Sequence, residues 1–253
     1  MINVYRMIKS KIYTFVLFCL LPLCSYAQED EDDGMIQSPS KVDKKNRDYG
    51  VKYLEDQFYL GLTYNILSSK ASRVVQHGLS HGIHTGIMRD IPLNERRNVG
   101  IAVGMGYAYD LVYSNIVVFS ENGVRTYQIP DGIKSLNLNK NNFSLHTLEI
   151  PLEFRWRTST AEDHKFWRIY TGMKFGYVLK SKSFYEHNEL STSFSNLELK
   201  GKFHTKLYAA LGYNAVNFYV QYSLTPLFKN VNTIEGTSLK ANILQLGVMF
   251  YIL

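Results

Sequence analysis

The decisive stretch is Leu148-Glu149-Ile150-Pro151-Leu152-Glu153-Phe154-Arg155-Trp156-Arg157, with its continuation Trp167-Arg168-Ile169-Tyr170-Thr171-Gly172-Met173-Lys174-Phe175-Gly176-Tyr177-Val178-Leu179-Lys180. In each segment, apolar or aromatic residues occupy nearly every second position. The intervening positions carry Glu, Arg, Lys, Gly and other small or polar groups. Period-two alternation of this length specifies β-strand, because successive side chains leave a strand on opposite faces. The segments are longer than the usual strand of about five or six residues. Their minor face is charged, whereas a soluble sandwich hides an apolar face. Strands of about ten residues, apolar on one side and polar on the other, fit a barrel whose outside meets lipid.

The same pattern recurs along the chain. Strands are predicted over 58–67, about 81–90, 99–113, 203–213, 216–224 and 242–253, which with the two opening segments makes eight. The expected fold is all-β: an eight-stranded antiparallel transmembrane barrel with short periplasmic turns and long outer loops. Connections alternate between short (91–98, 158–165, 214–216) and long (68–79, 114–142, 181–201, 227–240), an asymmetry typical of outer-membrane barrels. The loop over 114–142 contains Glu121-Asn122-Gly123, a tight-turn sequence suited to a hairpin of its own. On 99–113, Gly100, Ala102, Gly104, Gly106 and Ala108 share the minor face and leave room for bulky side chains from neighbouring strands.

Upstream, residues 1–27 read as a secretory signal. Arg6, Lys9 and Lys11 precede an apolar run from Ile12 to Leu23, and Ser25-Tyr26-Ala27 is a small-x-small cleavage site. Cys19 and Cys24 both leave with that segment, so neither disulfides nor thiolate chemistry is expected of the exported protein. Residues 28–56 hold nine acids and five bases and begin with Glu29-Asp30-Glu31-Asp32-Asp33. They read as an acidic, disordered periplasmic tail. Residues 57–253 carry twenty bases and thirteen acids and form the barrel. Their bases alternate with apolar residues instead of clustering on one surface, which excludes nucleic acid as a partner.

Two sets of residues stand out. Phe58, Trp156, Trp167, Tyr213, Phe218 and Phe250 fall on the apolar face near a short turn or chain end, as an aromatic girdle at the periplasmic interface would. The inward face offers Asp90, Glu149, Glu153, Arg155, Arg157, Arg168, Lys174 and Lys206, with Asp110 and His204 able to join. If residue numbers across the central hairpin sum to about 323, Glu149 faces Lys174 and Arg155 faces Arg168. A slip of two residues places Glu153 against Arg168. Either register predicts a paired, structural charge network, because isolated charges in a narrow barrel are costly. An eight-stranded barrel is just wide enough for its side chains to fill it.

Other chemistries have weaker support. His77, His81 and His84 lie close in sequence, but His81 and His84 differ in parity, so no metal is expected. Ser144 and His146 share a face near the top of their strand without an acid tied to them by spacing. A barrel hydrolase acting on lipid or peptide is therefore a lesser alternative, after a small-solute outer-membrane channel. A soluble lipocalin-like barrel would need an apolar lumen. No cofactor is implied.

The segments Glu55–Asn65, Ile150–Arg157, His164–Gly172 and Leu246–Leu253 resemble the PorT-like, or porin-family, outer-membrane barrels of Bacteroidota. That resemblance implies a non-enzymatic outer-membrane protein supporting type IX secretion or gliding motility. It also implies outer-membrane lipid and other envelope or secretion-system proteins as partners.

Overall fold

The computed structural model of the protein describes Glu55–Ile252 apart from residues 72, 95, 122–123, 131–137, 159–166, 188–189, 198, 200, 229–230, 234–235 and 237. The expected signal, the acidic tail up to Leu54 and the Asn122-Gly123 turn lie outside the described residues.

Thirteen strands occur in order among those described: β1 Glu55–Ser68, β2 His81–Pro92, β3 Val99–Tyr113, β4 Val117–Glu121, β5 Val124–Gln128, β6 Leu138–Arg157, β7 Trp167–His187, β8 Leu190–Ser195, β9 Phe203–Tyr213, β10 Val216–Ser223, β11 Val231–Asn232, β12 Ser238–Leu239 and β13 Asn242–Ile252. Eight of them close a barrel. The order β6-β3-β2-β1-β13-β10-β9-β7 is completed by pairing of β6 with β7. All these pairings are antiparallel, including β1 with β13, where Phe58 faces Ile252. Closure satisfies every wall strand on both sides, which a strand crossing lipid requires.

Alternation is carried through to the wall. On β3, Ile101, Val103, Met105 and Tyr107 are exposed while Ala102, Ala108 and Asp110 are buried. On β6, Ile150, Leu152, Phe154 and Trp156 point out, and Glu149, Glu153 and Arg155 point in. The small residues have a visible purpose. Gly86 pairs with Gly106, and a Cβ on Gly106 would stand 1.7 Å from the Tyr59 hydroxyl. The Tyr59 ring occupies the space that these two glycines leave.

At one end, β2 joins β3 through residues 93–98, and β9 turns into β10 through Asn214 and Ala215. Asn214 adopts a left-handed conformation there, φ 55°, which asparagine tolerates better than most residues. At the other end, the long connections carry further strands. The expected hairpin forms, with Val117–Glu121 paired to Val124–Gln128. Beyond the barrel, β7 continues between β6 and β8. Both β6 and β7 are thus longer than their apolar alternation indicates, because their outer parts pair above the lipid-facing wall.

Candidate functional site: the filled lumen

The central hairpin takes a register outside the two that were expected. Arg157 faces Arg168, Arg155 faces Tyr170, Glu153 faces Gly172 and Glu149 faces Gly176. The shift keeps every residue on its own side of the wall. It sets each glutamate against a glycine, which frees the carboxylate to reach diagonally.

Glu149 uses that freedom. Lys174 and Lys206 stand directly opposite one another on β7 and β9, where like charges repel. The Glu149 carboxylate lies between them, 3.1 Å from Lys174 Nζ and 2.8 Å from Lys206 Nζ. Asp110 gives Lys206 a second carboxylate at 3.4 Å. His84 sits between these acids, 3.6 Å from Glu149 and 3.8 Å from Asp110. The Gln245 amide donates to Asp110 at 2.6 Å and to Asn65 at 2.7 Å, extending the network to β13 and β1.

A second knot lies nearer the short-turn end. Arg155, fully buried, donates to Glu153 at 2.6 Å and to Gln57 at 2.8 Å, with Asp90 3.5 Å away. Its guanidinium also lies over the rings of Tyr170 and Tyr251, at 4.8 and 5.5 Å. The other Glu153 oxygen accepts from the Tyr208 and Tyr251 hydroxyls, each at 2.9 Å. Arg157 bonds Asp90, and Arg168 is buried opposite Arg157.

All eight inward residues named from the sequence are therefore buried in the lumen. Ion pairs join Glu149, Lys174 and Lys206 in one knot and Asp90, Glu153, Arg155 and Arg157 in another, and Arg168 is buried with the second. His204 is buried too and lines the same small cavity as Asp110 and Lys206, with Nε2 3.0 Å from the carbonyl of Gly201. The contributions of Gln57, Tyr170, Tyr208, Tyr251, His84 and Gln245 were not anticipated. Their inward parity was readable, but the partners that complete their hydrogen bonds depend on register.

Above the charges the lumen changes character. Leu67, Val112, Phe143, Leu145, Val178 and Ile243 project inward from the strands. They pack with Val74, Ile116, Val118, Tyr127, Ile129, Leu197, Leu227, Phe228 and Leu239 from the long connections. Phe228 meets Tyr127 and Phe143 edge to face, both at 6.0 Å. A small cavity, with room for about one water molecule, lies where Asp110, Lys206 and Gln245 meet Leu145, Val178 and Ile243. The sequence reading did not include this apolar cap.

The remaining candidates are placed as follows. Phe58, Trp156, Trp167, Tyr213 and Phe218 are exposed on the outer wall, and Phe250 shares their side. Trp167 packs against Tyr213 with ring centroids 5.7 Å apart. His77 packs on Tyr113, His81 meets the Leu79 carbonyl, and His84 faces the lumen. Among the described residues, no three His, Cys, Asp or Glu side chains form a group that could hold a metal. Ser144 is buried, and His146 Nδ1 meets the hydroxyl of Tyr107.

Solved structures similar to this chain include Ail, the attachment invasion locus protein of Yersinia pestis. It shares 12% identity, covering 78% of this chain and 97% of Ail, with a TM-score of 0.30. Ail in complex with the heparin analogue sucrose octasulfate is similar at 11% identity, covering 79% and 99% of the two chains, with a TM-score of 0.29. No curated protein sequence matches. The model of the outer membrane protein beta-barrel domain matches residues 26–229, and the chain belongs to that family of outer-membrane barrels.

Proposed function

We infer that the protein is a non-enzymatic, non-conducting outer-membrane barrel that supports protein secretion of the type IX kind or gliding motility. Its long connections face the cell exterior and its short turns face the periplasm. One observation carries the non-conducting part: paired charges fill the middle of the lumen, and an apolar cluster lies above them. A solute path needs a continuous wet passage, whereas these side chains use their polar atoms on one another. With the interior occupied, the loops and the outer wall are the surfaces left for partners in the envelope. The charged residues act as a structural filling, and the aromatic girdle holds the barrel at the periplasmic interface. Export by residues 1–27 accords with this placement. The secretion role rests on the PorT-like segments of the sequence.

Deletion of the gene tests that role. Loss of secretion or of surface motility, restored by the intact gene, is the expected outcome. Unchanged secretion and motility in the deletion strain would overturn the role and leave the fold standing.

A further inference from the structure

We propose that the outer wall formed by β6, β7 and the start of β9, at the long-loop end, binds the phosphate-bearing head group of a lipid in the surrounding leaflet. The proposal rests on the membrane placement inferred above and adds a specific ligand site to it.

Height comes first. His146 lies ten residues along β6 from Trp156, and Phe203 lies ten residues along β9 from Tyr213. At about 3.4 Å per residue and a tilt of about 40°, ten residues span roughly 26 Å, which matches an apolar band of about 25 Å. If Trp156 and Tyr213 mark one interface, His146 and Phe203 mark the other, where head groups begin.

Chemistry changes at that level. The pairing of β6 with β7 slips between His146 and Thr147, so Thr147 faces Val178 while His146 faces Lys180. This bulge leaves Leu179 unpaired, and Leu179 and Lys180 are both exposed. Bulges commonly re-aim a side chain in this way. Below the slip, even-numbered residues of β7 face the lumen. Above it, Lys180 and Lys182 face outward, opposite His146 and Ser144. Lys202 joins them from the bend just before β9. Its main-chain carbonyl accepts from Val178 N–H, and its ammonium lies over the Tyr177 ring at 5.8 Å.

Tyr177 stacks edge to face on Phe203 at 5.1 Å, and Tyr109 lies 5.0 Å from His146. Lys202 thus rests on an aromatic pair of the kind found at membrane interfaces, and Lys180 lies across from the His146 that packs on Tyr109. Among the described residues, no carboxylate lies within ion-pairing distance of Lys180, Lys182 or Lys202. The acid higher on the same face, Glu186, is taken by Lys140 at 3.4 Å. Three cations at head-group height, with no carboxylate beside them among the described residues, fit a lipid phosphate.

The test uses the full protein refolded into phosphatidylcholine vesicles, with diphosphoryl lipid A, with the same lipid stripped of its phosphates, or with neither. Lipid retained on extraction is read by native mass spectrometry, and folding by heat-modifiable gel migration. The wild type should retain the diphosphoryl form selectively. A K180Q/K182Q/K202Q variant should fold equally and lose about five-fold in affinity per lysine, or roughly 100-fold together. R96Q, at the short-turn end, should behave as wild type. Equal retention by the triple variant, or equal retention of the phosphate-free lipid, would overturn the site alone. Failure of the wild type to insert would overturn the membrane placement together with the site.

Discussion

The middle of the lumen and the cap above it occupy neighbouring inward positions on the same strands, with opposite chemistry. Asn65 gives way to Leu67 on β1, Asp110 to Val112 on β3, Lys174 to Val178 on β7 and Gln245 to Ile243 on β13. On β6 the change runs from Glu149 to Leu145 and Phe143. What differs is the company each position keeps. In the middle, the wall surrounds every side chain, so a charge is tolerated only with partners in fixed positions. At the cap, loops fold over the strand ends and contribute apolar side chains, so burial there needs no directional bonds. The barrel therefore uses two kinds of filling, one specific in geometry and one forgiving.

The largest expected effect comes from breaking the specific part. E149A leaves Lys174 and Lys206 facing each other without their shared carboxylate. It should cost about 3–5 kcal/mol, the range for removing one partner from a buried ion pair. Urea unfolding in lipid vesicles, followed by tryptophan fluorescence, measures the loss. The forgiving part should yield less: L145A should cost about 2–4 kcal/mol by leaving a void. It should also leave the bilayer impermeable, because the charged middle still fills the bore. Smaller again is the wall fit. G106A pushes a methyl group into the Tyr59 hydroxyl and should cost about 1–3 kcal/mol; Y59L in the same chain should recover part of it.

The smallest effect is a dependence on pH in the first long connection. Burial against Tyr113 holds the His77 imidazole below its ordinary value of 6.5. The unfolded chain then binds more protons than the folded one as pH falls through that value. Stability from this residue is complete above about 6.5 and should decline gently below it, and H77F should flatten that decline in a melting series.

Much of the wall was legible before the structure. Strands β3 and β9 have the expected limits, because clean alternation ends there at turn residues. The segments of β6 and β7 beyond Phe143 and Lys180 were not, since Asn141 and Ser183 carry no apolar stripe and pair outside the lipid-facing zone. The register of the central hairpin was out of reach for another reason. A slip of two residues preserves which face each side chain occupies, so parity identifies Glu149, Lys174 and Lys206 as neighbours in the lumen without saying which one bridges the others. The cap was hidden further still. Phe228 comes from a loop with no period and Tyr127 from the hairpin strand β5, and only the folded chain brings them over Phe143.

Conductance of the refolded wild-type protein in planar bilayers tests the central claim most directly. The filled lumen predicts an electrically silent membrane even when heat-modifiable migration shows that the barrel has folded. Reproducible open-channel steps from the folded wild type would contradict a lumen closed by Glu149, its two lysines and the apolar cap.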